Sequence, residues 1–133
     1  MRAPADTDTD PEVIYAYTRA EAIEDGILVN ATALAKEAGF KWPVALTTRL
    51  WHGYIVPALD LVPDGQSING RLWDLLTVLH YTILNSKDDT FLRFSVFFLM
   101  SPGASPVPVE LISVAGPGDN GEPVITVMLP DED

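Results

Sequence analysis

The sequence predicts an α+β domain, on three observations. Apolar residues recur at helical spacing at Leu72, Leu75, Leu76, Leu79 and Ile83. They alternate along FLRFSVFFLM, which places Leu92, Phe94, Val96, Phe98 and Met100 on one strand face. Helix signals precede Asp88-Asp89 and β-rich runs follow it, and such segregation is the mark of α+β architecture. The expected domain has short N-terminal strands and helices. One main helix, about 70–84, packs on a C-terminal three-stranded antiparallel meander.

Residues 1–11 read as a flexible acidic lead, rich in Asp, Thr and Pro. VIYAY (Val13–Tyr17) is β-rich and predicts a strand. Thr18-Arg19-Ala20-Glu21 has the spacing of a capping box. A short helix through about Glu24 follows, stopped by Asp25-Gly26. ILVN predicts a short strand. Thr32 is placed to cap a second helix ending at Gly39, and Pro43 suits the first turn of a third helix, PVALTTRLWHG, ending at Gly53. Residues 54–68 look irregular, because Pro57, Pro63 and Asp64-Gly65 interrupt any period. Asn69 is the expected cap of the main helix.

In the β region, Arg93 and Ser95 begin the second face of the first strand, but Phe97 and Leu99 continue it. A strand apolar on both sides at its end is expected to be central or covered. VPVELISVA is the next strand, with Val107, Val109 and Leu111 on one face, and Pro108 marks its start as an edge or bulge. GPGDNGEP, residues 116–123, then leads into VITVML. The organisation expected is a flexible 1–11, one domain over 12–130, and an acidic end at 131–133.

With 133 residues, 47% of them hydrophobic, there is material for one core that buries roughly 65–70% of the unfolded surface. The absence of cysteine excludes disulfides, thiolate metal sites and cysteine nucleophiles. MRAPADTDTD has no apolar core of a signal peptide, and no apolar run reaches the roughly 18–20 residues of a membrane span. The expectation is a soluble, cytoplasmic protein.

The net charge is −11. Residues 1–12 carry −3, residues 131–133 carry −3, and residues 13–130 hold 12 acids against 7 bases. This balance argues against direct nucleic-acid binding, which needs a basic footprint. No Lys or Arg follows Arg93. Glu110, Asp119, Glu122, Asp131, Glu132 and Asp133 therefore form a candidate acidic interaction surface.

GPGDNGEP advertises ligand chemistry most openly. It lacks the 12-residue oxygen spacing of a calcium loop. It also lacks the Gly-Lys-Ser/Thr ending of a phosphate loop, and precedes a strand rather than a helix. As a hairpin turn its residues fit. The two histidines, His52 and His80, have no metal-ligand spacing between them, and no G-x-S-x-G elbow accompanies them. His80 reads as a half-buried helix residue, and His52 sits near a helix end, where the dipole favours a cation. Glu21, Glu24 and Asp25 read as a solvated helix face with a capping Glu. Trp42, Trp51 and Trp73 read as core or rim packing. No cofactor is expected.

Three stretches, VIYAYTRAEAIEDGILV, NGRLWDLL and GPGDNGEPVITVMLPDED, resemble a family of short acidic proteins of unknown function from bacteria, their plasmids and phages. The resemblance covers most of residues 13–133. It implies one soluble domain linked to mobile elements and supplies no catalytic residues. The function expected is a non-enzymatic accessory or interaction protein of a mobile genetic element, an acidic inhibitor engaging a basic surface of a host or defence protein. Two alternatives stand beside it: a small enzyme using His52 or His80 with a carboxylate, and a domain that self-associates through a strand edge or apolar patch.

Overall fold

A computed structural model describes residues 17–87 and 90–132. The expected strand at Val13–Tyr17, the acidic lead and Asp133 lie outside the described residues, apart from Tyr17, which is not in a strand. The elements are α1 (Arg19–Glu24), β1 (Leu28–Asn30), α2 (Thr32–Glu37), β2 (Val44–Thr47), α3 (Ile68–Leu84), β3 (Phe91–Phe98), β4 (Val107–Pro117) and β5 (Pro123–Met128). Between β2 and α3 the chain makes a helical turn at Thr48–Leu50, a π-helical turn at Trp51–Ile55 and a 3-10 helix at Leu59–Asp64.

The meander is present, and it is part of a larger sheet. Five strands lie in the order β1-β2-β5-β4-β3. β3, β4 and β5 are antiparallel neighbours, β2 runs parallel to β5, and β1 is antiparallel to β2. The expected third helix at Pro43–Gly53 is therefore corrected in its first half, while Thr48–Gly53 is helical as expected. Val44, Ala45 and Leu46 form a strand buried on both faces, each at most 1% exposed. A short run apolar on both sides suits a central strand as well as a buried helix, and the partner that decides it, Ile125–Val127, is some 80 residues away.

The α3 stripe behaves as its spacing requires. Leu75, Leu76 and Leu79 are fully buried and Leu72 nearly so, each contributing roughly 1.5–3 kcal/mol. They pack against Phe94, Val96, Phe98 and Leu111 of the meander and Val44, Leu46, Ile125 and Val127 of the inner strands. The helix starts earlier than expected. Ser67 is its cap, with Oγ accepting from the Gly70 N–H at 3.0 Å, and Asn69 lies inside. The second helix is capped from Asn30, whose Oδ1 accepts from the Thr32 N–H at 3.1 Å, rather than by Thr32 itself.

β3 is an edge strand, not a central one. Its core side, Leu92 to Phe98, is buried, while Phe97 on the other face is 64% exposed. Pro108 is tolerated for a related reason. It pairs with Phe97 of β3, but β5 begins its pairing with β4 only at Ile112. Among the described residues β4 thus has a strand neighbour on one side only at Pro108, and a missing N–H on the other side costs no ladder bond.

Candidate interaction surface

The first helix explains the surface around it. α1 has six residues, too few to persist alone. The capping box forms: Thr18 Oγ1 accepts from the Glu21 N–H at 3.0 Å, and Glu21 Oε1 accepts from the Thr18 N–H at 3.0 Å. The two remaining first-turn amides find their acceptor a hundred residues away. Asp119 takes the Arg19 N–H at 2.7 Å on Oδ1 and the Ala20 N–H at 3.0 Å on Oδ2. Those two bonds hold the Asp119 carboxyl below its ordinary pKa. At the far end the Tyr17 hydroxyl donates to Asp25, which pushes the phenol up to about 12.

Asp119 sits in the GPGDNGEP segment, which is a turn. Pro117 pairs with Pro123, the Gly118 N–H donates to the Glu122 carbonyl at 2.5 Å, and the Gly121 N–H donates to the Gly118 carbonyl at 3.1 Å. Gly121 has φ +81°, a conformation that glycine adopts without Cβ strain. Glu122 folds back so that Oε1 accepts from the Asn120 N–H at 2.9 Å. Both carboxylates of the turn thus serve backbone amides.

Arg19 belongs to the same corner, but its charge faces inward. Its guanidinium donates to Thr126 Oγ1 and to the Ile125 carbonyl, both at 2.7 Å. Burial lowers its pKa, and Asp119 and Glu122 oppose that shift. A cleft of about 190 Å³ opens there, lined by Arg19, Asn30, Thr32, Asp119 and Glu122 among others. Around it Glu21, Glu24, Asp25, Asp119 and Glu122 are all exposed. A six-residue helix is only about 9 Å long and Asp119 caps its first turn, so these five acids lie on α1 or on the turn that meets it.

The other expected acids lie elsewhere. Glu110 and Asp131 line a second cleft with Arg49. Seven strand residues separate Glu110 from the end of β4, about 23 Å at the usual rise. Here the acids are matched: Arg93 meets Glu110 at 3.3 Å and Arg49 meets Asp131 at 3.0 Å. Glu132 accepts from Thr47 Oγ1 at 2.7 Å and from the Leu129 N–H at 2.9 Å, fastening the chain end to β2. The structure therefore sets the turn of Asp119 and Glu122 against the first turn of the helix that carries Glu21, Glu24 and, at its end, Asp25, and sets Glu110, Asp131 and Glu132 at the opposite end of β4.

Arg71 went unnoticed in the sequence and holds much of the molecule. It is 3% exposed. Its guanidinium donates to the Tyr54 carbonyl at 2.7 Å, Gln66 Oε1 at 2.8 Å and the Leu99 carbonyl at 2.9 Å, and lies 4.9 Å above the Phe98 ring. Burial lowers its pKa, and Asp74 opposes the shift. The signal in the sequence was a cation in the first turn of an apolar helix, where the dipole disfavours it.

His80 is half-buried, its ring 5.3 Å from that of Phe40. It lines an apolar cleft of about 260 Å³ with Phe40, Lys41, Trp42, Ile83 and Leu84. Among the described residues the lining of that cleft contains no carboxylate. His52 lies exposed in the π-helical turn. Among the described residues no helix is long and apolar enough to cross a membrane.

The fold and its acidic corner define a small α+β protein whose described surface carries more acids than bases. The chain belongs to the family of unknown function DUF6573, which it matches over residues 7–133. No curated protein and no solved structure matches it.

Proposed function

We propose that the chain is a non-enzymatic interaction protein, an accessory of a mobile genetic element. In this reading it engages a basic surface of a host or defence protein through the acidic corner of α1 and the β4–β5 turn, and so inhibits that protein. One observation carries the reading: five exposed acids lie on α1 or on the turn that caps it, while the one cation of those two segments, Arg19, donates into the fold. The rest of the charge supports it. Arg71 is buried, Arg49 and Arg93 are paired, and Lys36, Lys41 and Lys87 belong to other segments. An unbalanced acidic corner steers a basic partner over a Debye length of about 8–10 Å at ordinary salt. The link to mobile elements rests on the resemblance of the three sequence stretches alone.

The test is a pull-down from bacterial lysate with the wild-type chain and with Glu24→Lys/Glu122→Gln. Glu24 is exposed, and Gln at 122 keeps an oxygen for the Asn120 amide. The reading expects a partner held by the wild type at low salt, lost at high salt and lost in the variant. A partner retained equally by the variant, or no partner at either salt, would overturn it.

A further inference from the structure

Among the described residues β3 is the long edge strand of the sheet. The sheet's other edge is β1, only three residues long, and a short edge strand offers little to an incoming chain. β3 has eight residues, no proline and no glycine, and among the described residues only β4 pairs with it.

The direction of its backbone groups follows from one bond. The Ala115 N–H donates to the Thr90 carbonyl at 2.8 Å, and these residues continue the register in which Phe91 faces Val114. In an antiparallel ladder hydrogen-bonded pairs alternate with non-bonded ones. Leu92, Phe94, Val96 and Phe98 therefore point their N–H and C=O groups at β4. Phe91, Arg93, Ser95 and Phe97 point theirs away from it. The same four residues carry their side chains on the face opposite α3, and Phe91 and Phe97 are 40% and 64% exposed.

We propose that two copies of the chain join β3 to β3 antiparallel, across a two-fold axis at Phe94, making one continuous ten-stranded sheet. In that register each Phe91 faces Phe97 of the second copy and each Arg93 faces Ser95. All four pairs exchange hydrogen bonds between outward-pointing groups. Both aromatic pairs are opposite residues on one face, the arrangement that stabilises strand pairing. Charge selects this edge for a second copy. Residues 90–109 contain no acid in a chain of net charge −11, and Arg93 is paired with its own Glu110. The acid-free run 38–59 is longer but feeds the inner strand β2, and the other edge strand, β1, lies between Asp25 and Glu37.

Sedimentation equilibrium with the full chain tests the proposal. The wild type is expected to dimerise reversibly. Ser95→Pro removes an N–H that β4 does not use, and is expected to leave a folded monomer by circular dichroism. Phe97→Lys and Phe91→Glu each weaken dimerisation by about tenfold, the effect of losing two cross-strand aromatic pairs. The double variant Phe91→Glu/Phe97→Lys sets opposite charges face to face in this register alone and restores the dimer to within about threefold of wild type. A wild type that stays monomeric at about 1 mM, weaker than any ordinary interface, overturns the proposal. So does a dimer indifferent to Phe97→Lys, or a double variant no tighter than the single ones.

Discussion

Replacing Arg71 with Met tests whether a buried cation fastens the irregular half of the fold to the sheet. Three N–H···O bonds of 2.7–2.9 Å would go, and two of their acceptors, the Tyr54 and Leu99 carbonyls, are backbone groups. Hydrogen bonds from a charged group contribute roughly 1.5–3 kcal/mol each, a gross loss of roughly 5–9 kcal/mol. Against this, the variant no longer bears the several kcal/mol, as an order of magnitude, of holding an ion away from water. Met also keeps the aliphatic contact with Phe98. The difference is a destabilisation of about 3 kcal/mol. In urea, with a slope of about 1.5–2 kcal/mol/M for a chain of this size, the midpoint falls by about 1.5–2 M at unchanged slope. Arg71→Lys keeps the charge but not the planar fork, and falls between the two. A midpoint for Arg71→Met within about 0.3 M of wild type would refute the reasoning.

Asp119→Asn removes the charged acceptor of the α1 amides. Its folded pKa lies below the ordinary 3.8, so the tie is complete above 3.8 and is lost as pH falls through the lower folded value. The Arg19 and Ala20 amide resonances are expected to move together in that acid range in the wild type and to stay still in the variant; titration at an unshifted value contradicts the contact. Gly39→Ala is expected to cost about 1–3 kcal/mol, because φ is +106° and the new Cβ would meet the His80 ring at 3.0 Å. Gly53→Ala, with open space and no positive φ, stays within about 0.5 kcal/mol of wild type by the same urea measurement. Leu76→Ala, at a fully buried site, costs about 2.7–5 kcal/mol, and a loss under 1 kcal/mol would place α3 off the core.

What the sequence revealed was local. The α3 stripe, the capping box at Thr18, the alternation of β3 and the turn at Gly118–Glu122 each follow from neighbours within a few residues. What it concealed was set by distant partners. β2 is a strand because β5 lies beside it, and β3 is an edge because β2 and β1 extend the sheet on the other side. Asp119 was legible as an acid in a turn, but not as the cap of a helix a hundred residues earlier. For the same reason its neighbours at the acidic corner are Glu21, Glu24 and Asp25 rather than the chain end. Arg71 alone left a local trace, a cation misplaced in a helix's first turn.

The central claim, that the acidic corner recognises a basic protein, is tested most directly by the salt dependence of the Kd for the captured partner. The wild-type Kd is expected to rise steeply between about 0.05 and 0.5 M salt, as screening shortens the reach of exposed charges. The Glu24→Lys/Glu122→Gln chain should bind at least about tenfold more weakly at low salt and converge with the wild type at high salt. Equal affinities for the two chains at low salt, or a wild-type Kd indifferent to salt, would contradict it.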